Sequence, residues 1–256
     1  MTRPLVYVAL QQFCSDDQQP RQLLLDAGFE MRFNTLQRRL RREEMPLLLC
    51  EADAVLAGLE PYDAELLKAL PRLRCISRCG SGTDTIDLAA AQRLGITIYT
   101  TADEVVEPVA QLTVAMMLAL ARHFPLHLRY CERGLWKREV GHLLSEWTIG
   151  LVGFGRIGRT VERYLHVFGP RILVSDPQLS QCDVPPGVEL RSLPALLAEA
   201  DLVSLHAARR KEEDVLLGSR ELAMMRRGSF LVNTARGSAA CAQLAWVWNR
   251  TSRNPK

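Results

Sequence analysis

The sequence predicts an α/β fold in which parallel sheets are covered by helices on both faces. Three observations carry that prediction. Short apolar runs alternate with helical patterns along the first hundred residues, as βα units require. Residues 148–158 read TIGLVGFGRIG, an apolar strand running into Gly153, Gly155 and Gly158, with an amphipathic segment at 159–168 behind it. A further apolar run at 171–175 (RILVS) then closes on Asp176.

The elements follow in chain order. Residues 5–10 read as a buried strand, 21–27 as a short helix ended by Gly28, and 30–33 as a strand. A basic stretch at 36–50 reads as helical, 54–57 as a strand, and 63–70 as a helix stopped by Pro71. Residues 74–77 and 96–99 read as strands flanking a helix at 86–94, with Gly95 as its C-cap. Residues 105–122 form the longest apolar helical pattern, broader than one core-facing stripe, so part of it is expected to meet a domain or subunit partner. Beyond Asp176 come a turn at 184–187, a short strand, a helix at 194–200, and buried strands at 202–206 and 230–233. Two successive βα sheets predict a domain over 1–100 and a second over 101–256.

The 256 residues, 48% hydrophobic and 24% charged, have the balance of a globular protein. No apolar run reaches membrane-spanning length, and the first ten residues lack signal-peptide architecture. Seven scattered cysteines (14, 50, 75, 79, 131, 182 and 241) suggest reduced thiols and a cytoplasmic setting, and Cys75 and Cys79 read as core rather than metal ligands. From residue 222 to the end there are six basic residues and no acidic one. This basic stretch has no aromatic interleaving suited to nucleic acid, so no nucleic-acid or membrane partner is expected.

The glycine motif carries the chemistry. Gly153 is expected to let the chain turn sharply, Gly155 to let backbone approach a pyrophosphate, and Gly158 to let the helix pack against its strand. The helix N-terminus behind them offers N–H groups and a positive dipole end to phosphate. Asp176 stands where a carboxylate accepts both adenosine ribose hydroxyls and repels the extra phosphate of NADP, which favours NAD; a turn aspartate before Pro177 is the alternative.

Four motifs in order resemble the NAD-dependent D-isomer-specific 2-hydroxyacid dehydrogenases, the group that includes phosphoglycerate, glycerate and formate dehydrogenases. They are RCGSGTDTIDLAAAQRLGI (78–96), GFGRIG with Asp176, ADLVSLH (200–206) and GSFLVNTARG (228–237). The resemblance runs from about Arg74 to Gly237. It implies two Rossmann/flavodoxin-like domains, with residues 1–100 as the N-terminal part of a substrate domain, 101–256 as an NAD-binding domain incomplete at its C-terminal end, and an active site in the cleft between them. It implies hydride transfer between NAD(H) and a small 2-hydroxy or 2-oxo acid.

The resemblance also implies roles residue by residue. Ser81 and Gly82 match the loop whose amides hold a substrate carboxylate, a plain strand-to-helix turn being the alternative. Arg78 in the same loop either assists an anionic substrate or is a surface arginine. Arg156 and Ile157 match positions touching pyrophosphate and ribose. His206 and Ala207 border the cofactor at a strand end, where His206 reads equally as a satisfied structural histidine. Thr234 and Ala235 line the cofactor just before Arg236, the catalytic candidate, whose planar fork suits a carboxylate and its neighbouring carbonyl.

There are departures. The family usually has Glu where Gln111 stands and proline where Ala208 stands. Its catalytic glutamate and histidine lie further downstream, and the chain ends at Lys256, shortly after Arg236; none of His123, His127, His142, His166 or His206 matches the histidine's motif. Impaired catalysis is therefore expected, as is an exposed edge on an unfinished sheet. The stretch after about Ser238, including Trp246 and Trp248, is expected to depart from family sequence through truncation or a reading-frame change. Two further expectations are a homodimer through the 105–122 helix and, as the competing function, a non-catalytic NAD-binding protein of corepressor type.

Overall fold

A computed structural model describes residues 3–207, 216–235 and, for backbone alone, 247–249. Arg236, Ala208, Cys241, Trp246 and most of the stretch after Ser238 lie outside the described residues. The chain divides into two compact units, Met1–Val105 and Val106–Lys256.

The first unit is a five-stranded parallel sheet in the order β2-β1-β3-β4-β5: β1 Leu5–Val8, β2 Glu30–Phe33, β3 Ala54–Ala57, β4 Cys75–Arg78 and β5 Thr97–Thr100. The helices are α1 Gln19–Asp26, α2 Met45–Leu49, α3 Ala64–Lys68 and α4 Leu88–Arg93. Asp63 and Asp87 open α3 and α4 as N-caps, accepting the amides of Leu66 at 2.7 Å and Ala90 at 2.8 Å. Tyr62, Leu66, Leu67 and Ile76 sit at the centre of its core.

The predicted helix over 36–50 shrinks to α2, for local reasons. Gln37 takes a left-handed φ of +51°, and Asn34 holds the turn by accepting the Leu36 amide and donating to the Ala9 and Arg38 carbonyls. Pro46 fits only the first turn of a helix, so α2 starts at Met45.

The second unit is built on five parallel strands: β6 Thr148–Val152, β7 Arg171–Ser175, β8 Val188–Leu190, β9 Leu202–Leu205 and β10 Phe230–Asn233. A sixth, β11 Val247–Asn249, pairs antiparallel with β10, giving the order β11-β10-β9-β6-β7-β8. The expected open edge at β10 is therefore covered over Phe230–Val232. The helices are α5 Val106–Ala121, α6 Phe124–Glu132, α7 Arg156–Leu165, α8 Leu193–Glu199 and α9 Ser219–Met224. Helix α5 turns Ala110, Thr113, Val114, Met117 and Ala121 into the core and leaves Leu112 exposed. No single helix among the described residues is long and apolar enough to cross a membrane.

The two sheets are tied at their amino ends in the same way. Asp53, just before β3, accepts the amide of Leu5 at 2.8 Å and pairs with Arg72. Asp201, just before β9, accepts the amide of Thr148 at 2.8 Å and pairs with Arg226.

Candidate functional site: a dinucleotide cradle at the carboxyl ends of the second sheet

Open parallel sheets bind ligands beyond the carboxyl ends of their strands. In the second unit those ends gather Gly153 (after β6), Asp176 (after β7), His206 and Ala207 (after β9), and Thr234 and Ala235 (after β10).

The three glycines stand in three different surroundings. Gly153 has φ +90°, and a Cβ there would lie 2.5 Å from the Ala207 backbone nitrogen. Gly158 packs so closely that a Cβ would meet the Gly153 carbonyl oxygen at 2.5 Å. Gly155 is different: a Cβ would meet no heavy atom within 4 Å. The fold therefore does not need glycine at 155, and the open space above it is where a pyrophosphate would approach. Helix α7 begins there without a side-chain cap, so its N-terminal amides face the same space. It starts at Arg156, ahead of the Arg159 that its amphipathic pattern suggested, because Gly158 lies inside its first turn.

Asp176 joins this loop. One carboxylate oxygen accepts the Phe154 amide at 3.0 Å, and the other accepts the Gln178 amide at 3.0 Å. Asp176 is thus a turn aspartate, and each oxygen also keeps acceptor capacity for a ribose hydroxyl. Arg159 stacks over the Phe154 ring at 4.7 Å, packing the outer side of the loop. Arg156 is exposed at the helix start, and Ile157 is half-buried.

His206 closes the β9 end. Its Nε2 lies 3.0 Å from the Ser204 hydroxyl, and burial lowers its pKa to about 4, so the ring is neutral near pH 7. Asn233 accepts the Ala235 amide at 3.1 Å, and the Thr234 hydroxyl lies 2.9 Å from that of Thr113 on α5. Sequence reading missed Thr113; its only signal is a lone hydroxyl within an apolar helix.

In the first unit, Ser81 and Gly82 follow the carboxyl end of β4, Ser81 exposed and Gly82 half-buried. Arg78 is not a surface arginine: it is 4% exposed, because the two-residue period of β4 puts it on the buried face with Ile76. Its guanidinium bonds the Cys79 carbonyl and folds under Gly80, whose φ of +130° demands glycine. The Gly80 amide is committed to the Thr101 hydroxyl at 2.8 Å. The same period turns Cys79 outward, correcting its reading as core; Cys75 is half-buried. Among the described residues no group of three or more His, Cys, Asp or Glu is placed to hold a metal.

A parallel sheet whose glycine loop, uncapped helix and acidic strand end meet at one edge defines a dinucleotide-binding protein. Comparison with known proteins narrows the class. The D-isomer specific 2-hydroxyacid dehydrogenase NAD binding domain matches residues 114–243. Hydroxypyruvate reductase of Thermotoga maritima is 33% identical over 201 residues, 77% of this chain and 65% of the relative. Glyoxylate reductase of Pyrococcus furiosus is 34% identical over 225 residues, 84% and 67% of the two chains. Among solved structures, D-lactate dehydrogenase from Escherichia coli superposes with TM-score 0.78 at 27% identity, covering 94% of this chain and 76% of that one. NAD-dependent formate dehydrogenase from Staphylococcus aureus in complex with NAD gives TM-score 0.79 at 25% identity, covering 93% and 75%. The chain belongs to the D-isomer-specific 2-hydroxyacid dehydrogenase family, with NAD as cofactor. It spans about two thirds of the length of the two reductases. The family match runs to residue 243.

Proposed function

We propose that the protein is an NAD-dependent oxidoreductase moving hydride between NAD(H) and a small 2-hydroxy or 2-oxo acid, of the glyoxylate or hydroxypyruvate type. The observation that carries this is the open space over Gly155, beside two glycines that the fold itself requires. Bound NADH supplies the hydride. The chain's own residues hold and orient: Gly153, Gly155, Arg156, Ile157 and Gly158 take the pyrophosphate side, Asp176 the ribose, and His206, Ala207, Thr234 and Ala235 the inner wall. In this reading residues 1–100 form the substrate domain, where Ser81 and Gly82 offer amides to the carboxylate. Arg78 holds that loop from beneath, and Arg236 polarises the carbonyl.

A second reading, a non-catalytic NAD-binding protein of corepressor type, is favoured by one observation. Of the five histidines only His206 stands at the carboxyl ends of the second sheet, and burial keeps it neutral. In that reading the neutral His206 ring is not the proton donor, and loss of a general acid slows such a reduction by roughly 10²–10⁴. Calorimetry with NADH followed by a glyoxylate or hydroxypyruvate turnover assay separates the two. Turnover at ordinary enzyme rates sinks the non-catalytic reading, NADH binding without turnover sinks the enzymatic one, and no binding at millimolar NADH sinks both.

The partner reading is a homodimer through α5. Between α5 and α7 lies an apolar groove of about 390 Å³ lined by Gln111, Val114, Ala115, Leu118 and Tyr164. Nearby in the chain, Trp136 is 91% and Val140 93% exposed on a loop clamped to α6. The clamp is the Tyr130 hydroxyl donating to Glu139 at 2.6 Å and the Glu139 amide donating to His127 at 3.1 Å. Large apolar side chains held outward by a fixed loop suit a second copy of the same surface.

A further inference from the structure

We infer that Thr113 is a positioning residue that acts on Arg236 through Thr234 and Ala235, an inference resting on the reading of Arg236 as the group that binds the 2-oxo acid. Thr113 is fully buried on the core side of α5. Its hydroxyl donates to the Val109 carbonyl at 2.8 Å, one turn back in the same helix. That commits its single hydrogen, so across the 2.9 Å contact with Thr234 it is the acceptor and Thr234 the donor.

Thr234 is far from Thr113 in sequence, directly after β10 and two residues before Arg236. The next residue is fixed as well, since the Ala235 amide donates to the Asn233 side chain at 3.1 Å. Helix α5 and strand β10 thus each contribute one side chain to hold residues 234 and 235, the two that precede Arg236 in the sequence. Helix α5 has no need of the bond: Thr113 is satisfied within its own helix, and valine would fill the same volume. What depends on it is Thr234, whose half-buried hydroxyl would lose its partner and its fixed rotamer. Small misplacements of a charged anchor weaken recognition disproportionately.

The test uses the full chain with NADH, titrated calorimetrically with oxamate, which carries the carboxylate and adjacent carbonyl of a 2-oxo acid. Thr113→Val is expected to weaken oxamate about tenfold, clearly more than it weakens NADH, with Tm lowered by only a few degrees. Thr113→Ser, which keeps the hydroxyl, is expected to restore it. Thr234→Val removes the same bond from its other end and is read by oxamate affinity if Thr113→Val does not fold. Arg236→Lys serves as the control for the underlying reading. If it leaves oxamate binding intact, or if wild type binds no oxamate, the role of Arg236 falls and this inference with it. If Arg236→Lys abolishes binding while Thr113→Val and Thr234→Val do not weaken it, Arg236 stands and the inference about Thr113 is overturned.

Discussion

The Phe154 amide donates to the Asp176 carboxylate at 3.0 Å, so the middle of the glycine loop is fastened to the end of the neighbouring strand. In the proposed reading, the residue that selects the ribose also shapes the turn that receives the pyrophosphate. Two substitutions separate these tasks. Asp176→Asn keeps an acceptor for the Phe154 amide but removes the charge. It should weaken NADH several-fold and bring NADPH to comparable affinity, measured by titrating cofactor fluorescence. Asp176→Ala loses the acceptor too and should also lower Tm. Unchanged preference for NADH in the asparagine variant would leave Asp176 a turn residue only.

The last two glycines of the motif should respond in opposite ways. Gly158→Ala drives a methyl into the Gly153 carbonyl. It should destabilise the second unit by about 2–4 kcal/mol, seen in urea unfolding. Gly155→Ala meets nothing in the protein. It should leave the unfolding free energy within about 0.5 kcal/mol of wild type, as for a neutral surface change, while NADH affinity falls at least tenfold. If Gly155→Ala binds NADH normally, the space above it is not the pyrophosphate site.

His206 gives a pH signature of defined sign. Its folded pKa, pushed down by burial to about 4, lies below the ordinary histidine value of 6.5. Between those values the unfolded chain binds the extra proton, so stability contributed by the neutral ring is complete above pH 6.5 and is lost as pH falls towards 4. The difference in unfolding free energy between wild type and His206→Gln should shift by about 2–3 kcal/mol across that window. A pH-independent difference would mean that the ring is not held neutral.

Trp136→Glu should convert a dimer into a monomer in light scattering, leaving Tm of the isolated protomer unaltered, because the indole makes almost no intrachain burial. A wild-type protein that runs as a monomer at all concentrations would remove the dimer reading.

Much of the second unit was legible because its signals are local. An apolar strand, three glycines and an acid at the next strand end lie within the short span from Thr148 to Asp176, and each is dictated by its immediate neighbours. The surface alternative for Arg78 stayed open in the sequence because which face of β4 is buried depends on the rest of the sheet. Helix α6 was missed because it has no buried residue to print a periodic pattern. The Thr113–Thr234 bond joins residues in elements that only the completed fold brings together, and no composition or spacing announces it.

The aspartate ties at Asp53 and Asp201 bear on how such a chain can change. Each secures the amino-terminal rim of its sheet with a backbone bond and an arginine partner, far along the strands from the loops that face ligand. Anchorage and the proposed chemistry therefore occupy opposite rims of both sheets. In the proposed reading, positions 81, 82, 155, 206 and 207 can be rewritten for another acid, another cofactor or none while the ties hold the strands in register. The protein is, in that sense, free to lose its reaction before it loses its shape.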